Sequence, residues 1–504
     1  PVRRVLLAAL LTPLLLLGSC ALLLRLGLLP EGYAVNAPLR QMLLDRGVEA
    51  PPESAFGGRI RTAEGFGSAL FAEGVPGARF LRPTPSGDLL LSQPRSGRVL
   101  LLEADRDGDG RTDGVHTLLE GLNRPHGLDL HEGWLYVGET DAVVRVRFDA
   151  AARRTRGAIE RVVTGLPTGG NHWTRTLRVG EDGWLYVSVG SSCNVCIEED
   201  PRRAALLRFR PDGSAGETFA TGLRNAVGFD WQPGTGRLFA TDNGRDLLGD
   251  DFPPCELNEV VASGFYGWPF ANGHRVPDPD LGAGRELEIE ASIPPVHGFG
   301  AHNAPLGIAF VRGDAPPGYQ DAALVALHGS WNRSRKDGYK VVSLHWQPDG
   351  TLVERDFLWG FLEDEDVIGR PVDVAQGTDG AFYVSDDYAG AVYRVAWGAQ
   401  PGDLPQPAAR RPEAAAAAGL TAAEREERGS RGQALYQAHG CAGCHEAEGG
   451  LEGVVPRELT GLSQRYDPSS LAALLETPPP PMPVVPLSDE QRRDLAVYLL
   501  VTHP

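Results

Sequence analysis

Cys441, Cys444 and His445, in the run CAGCH, carry the most committed chemistry in this chain. Two thiols at i and i+3, followed directly by an imidazole, suit thioether attachment of a haem c whose iron takes that histidine. A second pair, Cys193 and Cys196, has the same spacing but is followed by Ile197, which cannot ligate iron. The chain holds two methionines, Met42 and Met482, and Met482 lies in PPPPMPVVP. That places a soft thioether downstream of the histidine on a stiff, non-helical segment, where it can supply the sixth iron ligand. The expectation is one-electron chemistry.

Two further groups of residues stand out. Arg124, Arg224 and Arg370 each precede a short apolar segment at a similar distance, and His126, His172, Asn225 and His302 lie in the same zone. In a protein of formal net charge −18, three guanidiniums brought to one place would build an anion site. In DRDGDGRTDG, Asp105, Asp107, Asp109 and Asp113 are spaced around Gly110. Carboxylates so placed suit a hard cation such as calcium, although the twelfth position is His116 rather than the Glu of an EF-hand. A structural calcium in a connecting loop is expected there.

The elements that must position these residues repeat. Residues 78–397 contain six copies of a phrase: a short apolar strand, a Gly-containing turn, then a strand of alternating large residues. Examples are ARFLRPTPSGDLLLSQ, RPHGLDLHEGWLYVGE, TRTLRVGEDGWLYVSV and RPVDVAQGTDGAFYVSD, and most are followed by a third strand such as DAVVRVRFD. A period of about 45–50 residues with strand alternation and DG turns predicts an all-β, six-bladed β-propeller. One long insertion stretches the period between the fourth and fifth copies. In a propeller the innermost strands line the channel, so the residues just before them, the arginines and histidines above, meet at its mouth.

RGQALYQAHG predicts a short helix running into the haem motif, and Ser488 to Gln491 predicts a capping box opening the helix DEQRRDLAVYLL. Residues 430–504 resemble a small, all-α class I cytochrome c. Residues 399–429 read as a Pro/Ala-rich, then charged, linker. At the other end Arg3 and Arg4 precede an apolar run from Val5 to Leu29, predicting an N-terminal hydrophobic helix over 1–30. It reads equally as a signal anchor or, through LLLLGSC, as a lipoprotein signal with Cys20 lipidated, and 31–59 as a linker to the propeller at 60–398. Either reading predicts an exported, membrane-anchored protein on the periplasmic side, where Cys193 and Cys196 meet oxidising conditions. The acidic balance argues against nucleic-acid partners.

Residues 60–397 resemble the glucose/sorbosone dehydrogenase family, which includes soluble quinoprotein glucose dehydrogenase and the aldose sugar dehydrogenases. The resemblance is carried by GGNHWTRTLRVGEDGWLYVSVG, GLRNAVGFDWQPGTGRLFATDNG, ELNEVVASGFYGWP, HGSWNR and GRPVDV. It implies pyrroloquinoline quinone (PQQ) at the channel mouth with a calcium ion beside it. It further implies that His172 is the catalytic base and that Arg224 and Asn225 contact the quinone, Arg224 stabilising the developing oxyanion. Gly244 and Arg245 would offer backbone carbonyls to calcium, with Asn243 before them, and Arg370 and His302 would contact the cofactor. Arg333 is the counterpart offered for the family's cofactor lysine. The chain departs from the family pattern at Ser191, where an acidic residue supports the base, and at Cys255, where an Asp precedes Glu-Leu-Asn.

The expected function is a dehydrogenase that oxidises a sugar or related alcohol and passes electrons to its own haem, then to an acceptor of the respiratory chain. The alternatives are a calcium-dependent lactonase and a non-catalytic binding propeller carrying a cytochrome.

Overall fold

The computed structural model describes residues 34–38, 47–398, 420, 422–445, 459, 462, 466, 468–476, 478, 482–483 and 485–502. The expected N-terminal helix and Cys20 lie outside the described residues. No described helix is long and apolar enough to cross a membrane. The chain divides into two compact units, residues 1–407 and 408–504.

The first unit is a six-bladed propeller. Each copy of the repeated phrase forms the first two strands, an antiparallel pair, of one sheet, so the innermost strands are Leu81–Pro83, Leu128–His131, Leu177–Val179, Ala226–Trp231, Pro305–Phe310 and Pro371–Gln376. We number the blades 1 to 6 in that order. The third strands fall where the sequence places them. What the repeat did not disclose is the fourth strand of blade 6. It is Phe66–Ala72, from before the first copy, paired antiparallel with Ala391–Trp397. Joining the two ends of the unit in one sheet closes the ring, and each blade keeps its own edges.

The second strands are buried along almost their whole length because both faces of every blade are covered. Six apolar clusters fill the six gaps between neighbouring blades, from Leu90, Leu101, Leu135 and Val144 between blades 1 and 2 to Leu89, Leu100 and Val392 between blades 6 and 1. A seventh, of Phe80, Val227, Leu306 and Val372, comes from the start of the inner strands of blades 4, 5 and 6 and from the residue just before that of blade 1. On one side of it stand the arginines and histidines that precede the strands. On the other, further along the same strands, Arg82 pairs with Asp129 at 2.7 Å and Asp230 with Arg178 and Arg312 at 3.5 and 2.8 Å. The two carboxylates, of Asp129 and Asp230, are buried, and buried charges persist only when paired, as these are.

The second unit is helical: Ala422–Ala438, Ala442–His445, Pro468–Glu476 and Asp489–Thr502. The first and last helices cross where a Cβ on Gly432 would lie 2.2 Å from the carbonyl oxygen of Asp494. The buried Asp494 carboxylate accepts from Arg431 Nε at 2.6 Å and so fastens the crossing. The expected capping box forms, Ser488 N–H donating to Gln491 Oε1 and Gln491 N–H to Ser488 Oγ. The first helix begins at Ala422, inside the segment read as linker, because AAEREER is built of strong helix formers and Glu427 pairs with Arg431 one turn on.

Candidate active site

His172 precedes the inner strand of blade 3, and Ser191 follows the next strand of the same sheet. Between them Gly190 leaves room: a Cβ there would lie 2.6 Å from both His172 Cβ and Asn225 Oδ1. His172 Nδ1 lies 2.9 Å from the Ser191 carbonyl and 2.9 Å from Ser191 Oγ. A carbonyl only accepts, and Ser191 Oγ donates its own proton to the Cys193 carbonyl at 2.7 Å. Nδ1 therefore carries the ring proton, and the lone pair resides on Nε2. Burial, and then the Arg224 charge, push the histidine down to about 3, so the ring is neutral over the whole ordinary pH range. A neutral, oriented imidazole with a free Nε2 lone pair can act as a general base. Ser191 thus replaces the family's acid by two neutral acceptors, which fix the tautomer without adding charge.

Arg224, which precedes the inner strand of blade 4, is 4% exposed. Its Nε donates to the Asn194 carbonyl (2.9 Å), and its Nη2 to Asn194 Oδ1 (2.9 Å) and Asp246 Oδ2 (3.1 Å). Nη1 donates to the carbonyls of Asn243 (3.1 Å) and Gly244 (2.9 Å). Beneath it Asp242 accepts from the backbone N–H groups of Arg224 and Asn225. The positive charge is immobilised rather than poised to swing. Arg245 commits its guanidinium to Asp278 and Asp280, leaving its backbone carbonyl as the group it could offer a cation. His302 Nε2 donates to the Gly249 carbonyl, and its Nδ1 lies 3.8 Å from Asp246. Arg333 donates to the carbonyls of Asp250 and Ala301 and so braces the loop beside His302.

On blades 5, 6 and 1 a second network forms. Arg370 Nη2 donates to His328 Nδ1 (2.9 Å), His328 Nε2 to Asp387 Oδ1 (2.9 Å), and Arg79 Nη1 to Asp387 Oδ2 (2.7 Å). Burial alone would raise Asp387, but His328 and the two arginines hold it well below the usual carboxylate range. Trp173 links the two halves: the Arg124 guanidinium lies 4.0 Å from its ring centroid, that of Arg79 5.8 Å, and His126 meets it edge-on. Arg79, His328, Asp387 and Asn194 escaped the sequence reading. Arg79 was findable, since it precedes its inner strand just as Arg124 and Arg370 precede theirs.

Two buried acceptors in this mouth, Asn225 Oδ1 and Asn243 Oδ1, have no hydrogen-bond partner. Left so they are costly, and they call for a donor or a hard cation. Arginines on several blades, two adjacent amides and the carbonyls of residues 243–245 form a donor set that fits a planar polyanion with an oxygen-bound cation.

Elsewhere, Asp105, Asp107 and Asp109 come together, their carboxylate oxygens within 4.8 Å of one another. Asp113 is drawn off to accept from the Arg106 N–H. In the helical unit, Cys441 and Met482 both pack against the cluster of Tyr436, Leu462, Leu471 and Leu500. His445 ends the short helix that carries Cys444.

A family model described as TrAA12-like matches residues 60–251 and 288–398. A second, described as cytochrome c oxidase, cbb3-type, subunit III, matches residues 427–499, and the helical unit is a cytochrome c domain. A protein of Borreliella burgdorferi described as uncharacterized is 31% identical over 56% of this chain and 78% of its own length. A pyrroloquinoline quinone-dependent pyranose dehydrogenase of Coprinopsis cinerea is 24% identical over 67% of this chain, which spans 54% of that enzyme. The holo form of the PQQ domain of the Coprinopsis cinerea pyranose dehydrogenase superposes with a TM-score of 0.58 at 22% identity, covering 69% of this chain and 99% of that domain.

Proposed function

The chain belongs to the TrAA12-like family, and from that premise we propose that it is an exported quinohaemoprotein dehydrogenase. It oxidises a sugar (an aldose) or related alcohol at the propeller mouth and delivers the electrons to its own cytochrome c domain. The observation that carries the reading is His172. Its proton is pinned on Nδ1, it is neutral through burial, and it shares one mouth with Arg224, Asn225 and Arg370.

When bound, PQQ supplies the two-electron acceptor for the hydride leaving C1 of the sugar. The protein does the rest. His172 Nε2 takes the proton of the substrate hydroxyl, which Ser191 makes possible by holding the ring in one tautomer. Arg224, locked by protein acceptors, keeps a positive charge where negative charge grows, at no reorganisation cost. Asn225, Asn243, His302, Arg333 and Arg370 would hold the cofactor, and the carbonyls of Gly244 and Arg245 would hold its calcium. Asp105, Asp107 and Asp109 would hold a second, structural calcium at the outer edge of blade 1. The cytochrome domain would bind haem c through Cys441 and Cys444, with His445 and Met482 on the iron. The Cys193–Cys196 disulfide supports an oxidising compartment.

The test is a titration of the purified chain with PQQ and calcium, followed by a panel of aldoses and sugar alcohols with an artificial electron acceptor. Saturable quinone binding and turnover of at least one sugar are expected. Failure to bind quinone contradicts the reading.

A further inference from the structure

Residues 191–198 form a short loop that touches both the base and the fixed arginine. Ser191, at its head, accepts from His172 and donates its backbone N–H to the Arg224 carbonyl at 2.8 Å. Asn194, at its tip, takes two of the Arg224 bonds, one on its carbonyl and one on Oδ1. The same Oδ1 accepts from the Asp246 N–H at 2.8 Å, and Nδ2 donates to the Asp246 carbonyl at 3.0 Å. Asn194 thereby ties the guanidinium of blade 3's neighbour to the segment that follows Gly244. At the tail, Glu198 accepts from Ser192 N–H and Oγ.

Besides Arg224 and Asp246, the buried Trp268 indole reaches its tip, Nε1 donating to the Asn194 carbonyl at 3.4 Å. Residues 192–198 contribute to none of the apolar clusters, and Ile197 is 60% exposed. What shortens it is covalent: the Cys193–Cys196 disulfide closes a ring around Asn194 and Val195. A crosslink restricts the conformations open to such a segment, so Asn194 is presented to Arg224 rather than lost to solvent.

We propose that Asn194 is a positioning residue for Arg224 and that the Cys193–Cys196 bond keeps it in place. The proposal rests on reading Arg224 as the arginine whose fixed charge stands beside the cofactor, but its structural half can be tested apart from that reading. Asn194→Ala removes the whole amide, whereas Asn194→Asp gives up the Nδ2 bond to the Asp246 carbonyl but retains an oxygen for both Arg224 Nη2 and the Asp246 N–H. A double variant, Cys193→Ser with Cys196→Ser, removes only the crosslink.

The first readout is phenylglyoxal modification of Arg224 in the full-length chain without added quinone, followed by peptide mass. Arg224 should react slowly in wild type and in Asn194→Asp. It should react about tenfold faster in Asn194→Ala, and faster, to a smaller extent, in the cysteine double variant. The second readout is quinone affinity together with kcat and KM. Loss of hydrogen bonds to a charged group corresponds to about 10–100-fold weaker quinone binding in Asn194→Ala, with sugar KM unchanged and recovery in Asn194→Asp. A folded Asn194→Ala in which Arg224 stays protected and quinone affinity is unchanged would overturn the proposal. Should the alanine variant not fold, the cysteine double variant decides by the same two measurements. If wild type binds no quinone, the functional reading fails, while the Arg224 protection pattern still decides the role of Asn194.

Discussion

In the helical unit, three of the four groups expected to hold the haem occupy five consecutive residues. In the propeller, His172, Arg224, His302 and Arg370 come from four blades and span nearly 200 residues of sequence. The first site is written as a string, because a short covalent attachment needs its thiols and histidine on one turn of chain. The second is written as a phase, because each group occupies the same position in successive copies of a repeat. The difference predicts how each should respond to change: a string loses one function at a time, whereas a phased site has residues of separable roles around one cavity.

The sharpest way to break that comparison is His172→Ala. Turnover should fall by about 10²–10⁴-fold while quinone affinity stays near wild type, because the ring contributes a base and not a charge. Arg224→Ala should lower both, since its guanidinium stands beside the cofactor throughout. If the two variants have the same profile, the mouth is not divided into roles as described. On the other side, Met482→Ala should remove the weak far-red absorption of His/Met haem and lower the haem reduction potential, leaving sugar oxidation with an artificial acceptor intact. An unchanged haem spectrum would mean that Met482 is not the sixth ligand.

A smaller effect separates the two calcium assignments. Asp107→Ala with Asp109→Ala should lower the calcium-dependent Tm by roughly 2–8 °C without touching quinone binding. Loss of quinone binding at unchanged Tm would reverse the assignment. Smaller still is a pH effect beneath the site. Burial, and then the neighbouring Asp242, push Glu256 up to about 8, against about 4.3 for an ordinary glutamate. Its folded state therefore holds a proton that the unfolded chain releases. The stability from this group is complete below pH about 4 and is lost as pH rises through 8. Glu256→Gln should flatten the fall of Tm between about pH 5 and 8, the new amide finding an acceptor in the unpartnered Asn258 Oδ1. An unaltered slope would place the titration elsewhere.

Much of this was legible in the chain itself. Each of the six phrases became two strands of one blade, the helix leading into CAGCH and the capping box fell where expected, and Ser191 lies beside His172. Three things were not legible, for physical reasons. The closing strand Phe66–Ala72 lacks the turn that marks a copy, since it is the last strand of a blade whose other three lie at the far end of the unit. His328 and Asp387 are joined by packing between blades 5 and 6, which no local pattern encodes. Asp113 has a spacing that suits a metal, but the Arg106 N–H competes for it once the loop folds.

The central claim is that one chain oxidises sugar at the propeller and receives the electrons at its own haem. It is tested most directly by the haem absorption spectrum of the chain loaded with PQQ and calcium, recorded anaerobically on adding an aldose. The account predicts reduction of the haem in wild type, at a rate independent of protein concentration, and none in His172→Ala or without quinone. Haem that stays oxidised while an artificial acceptor is reduced by the same sample would contradict it.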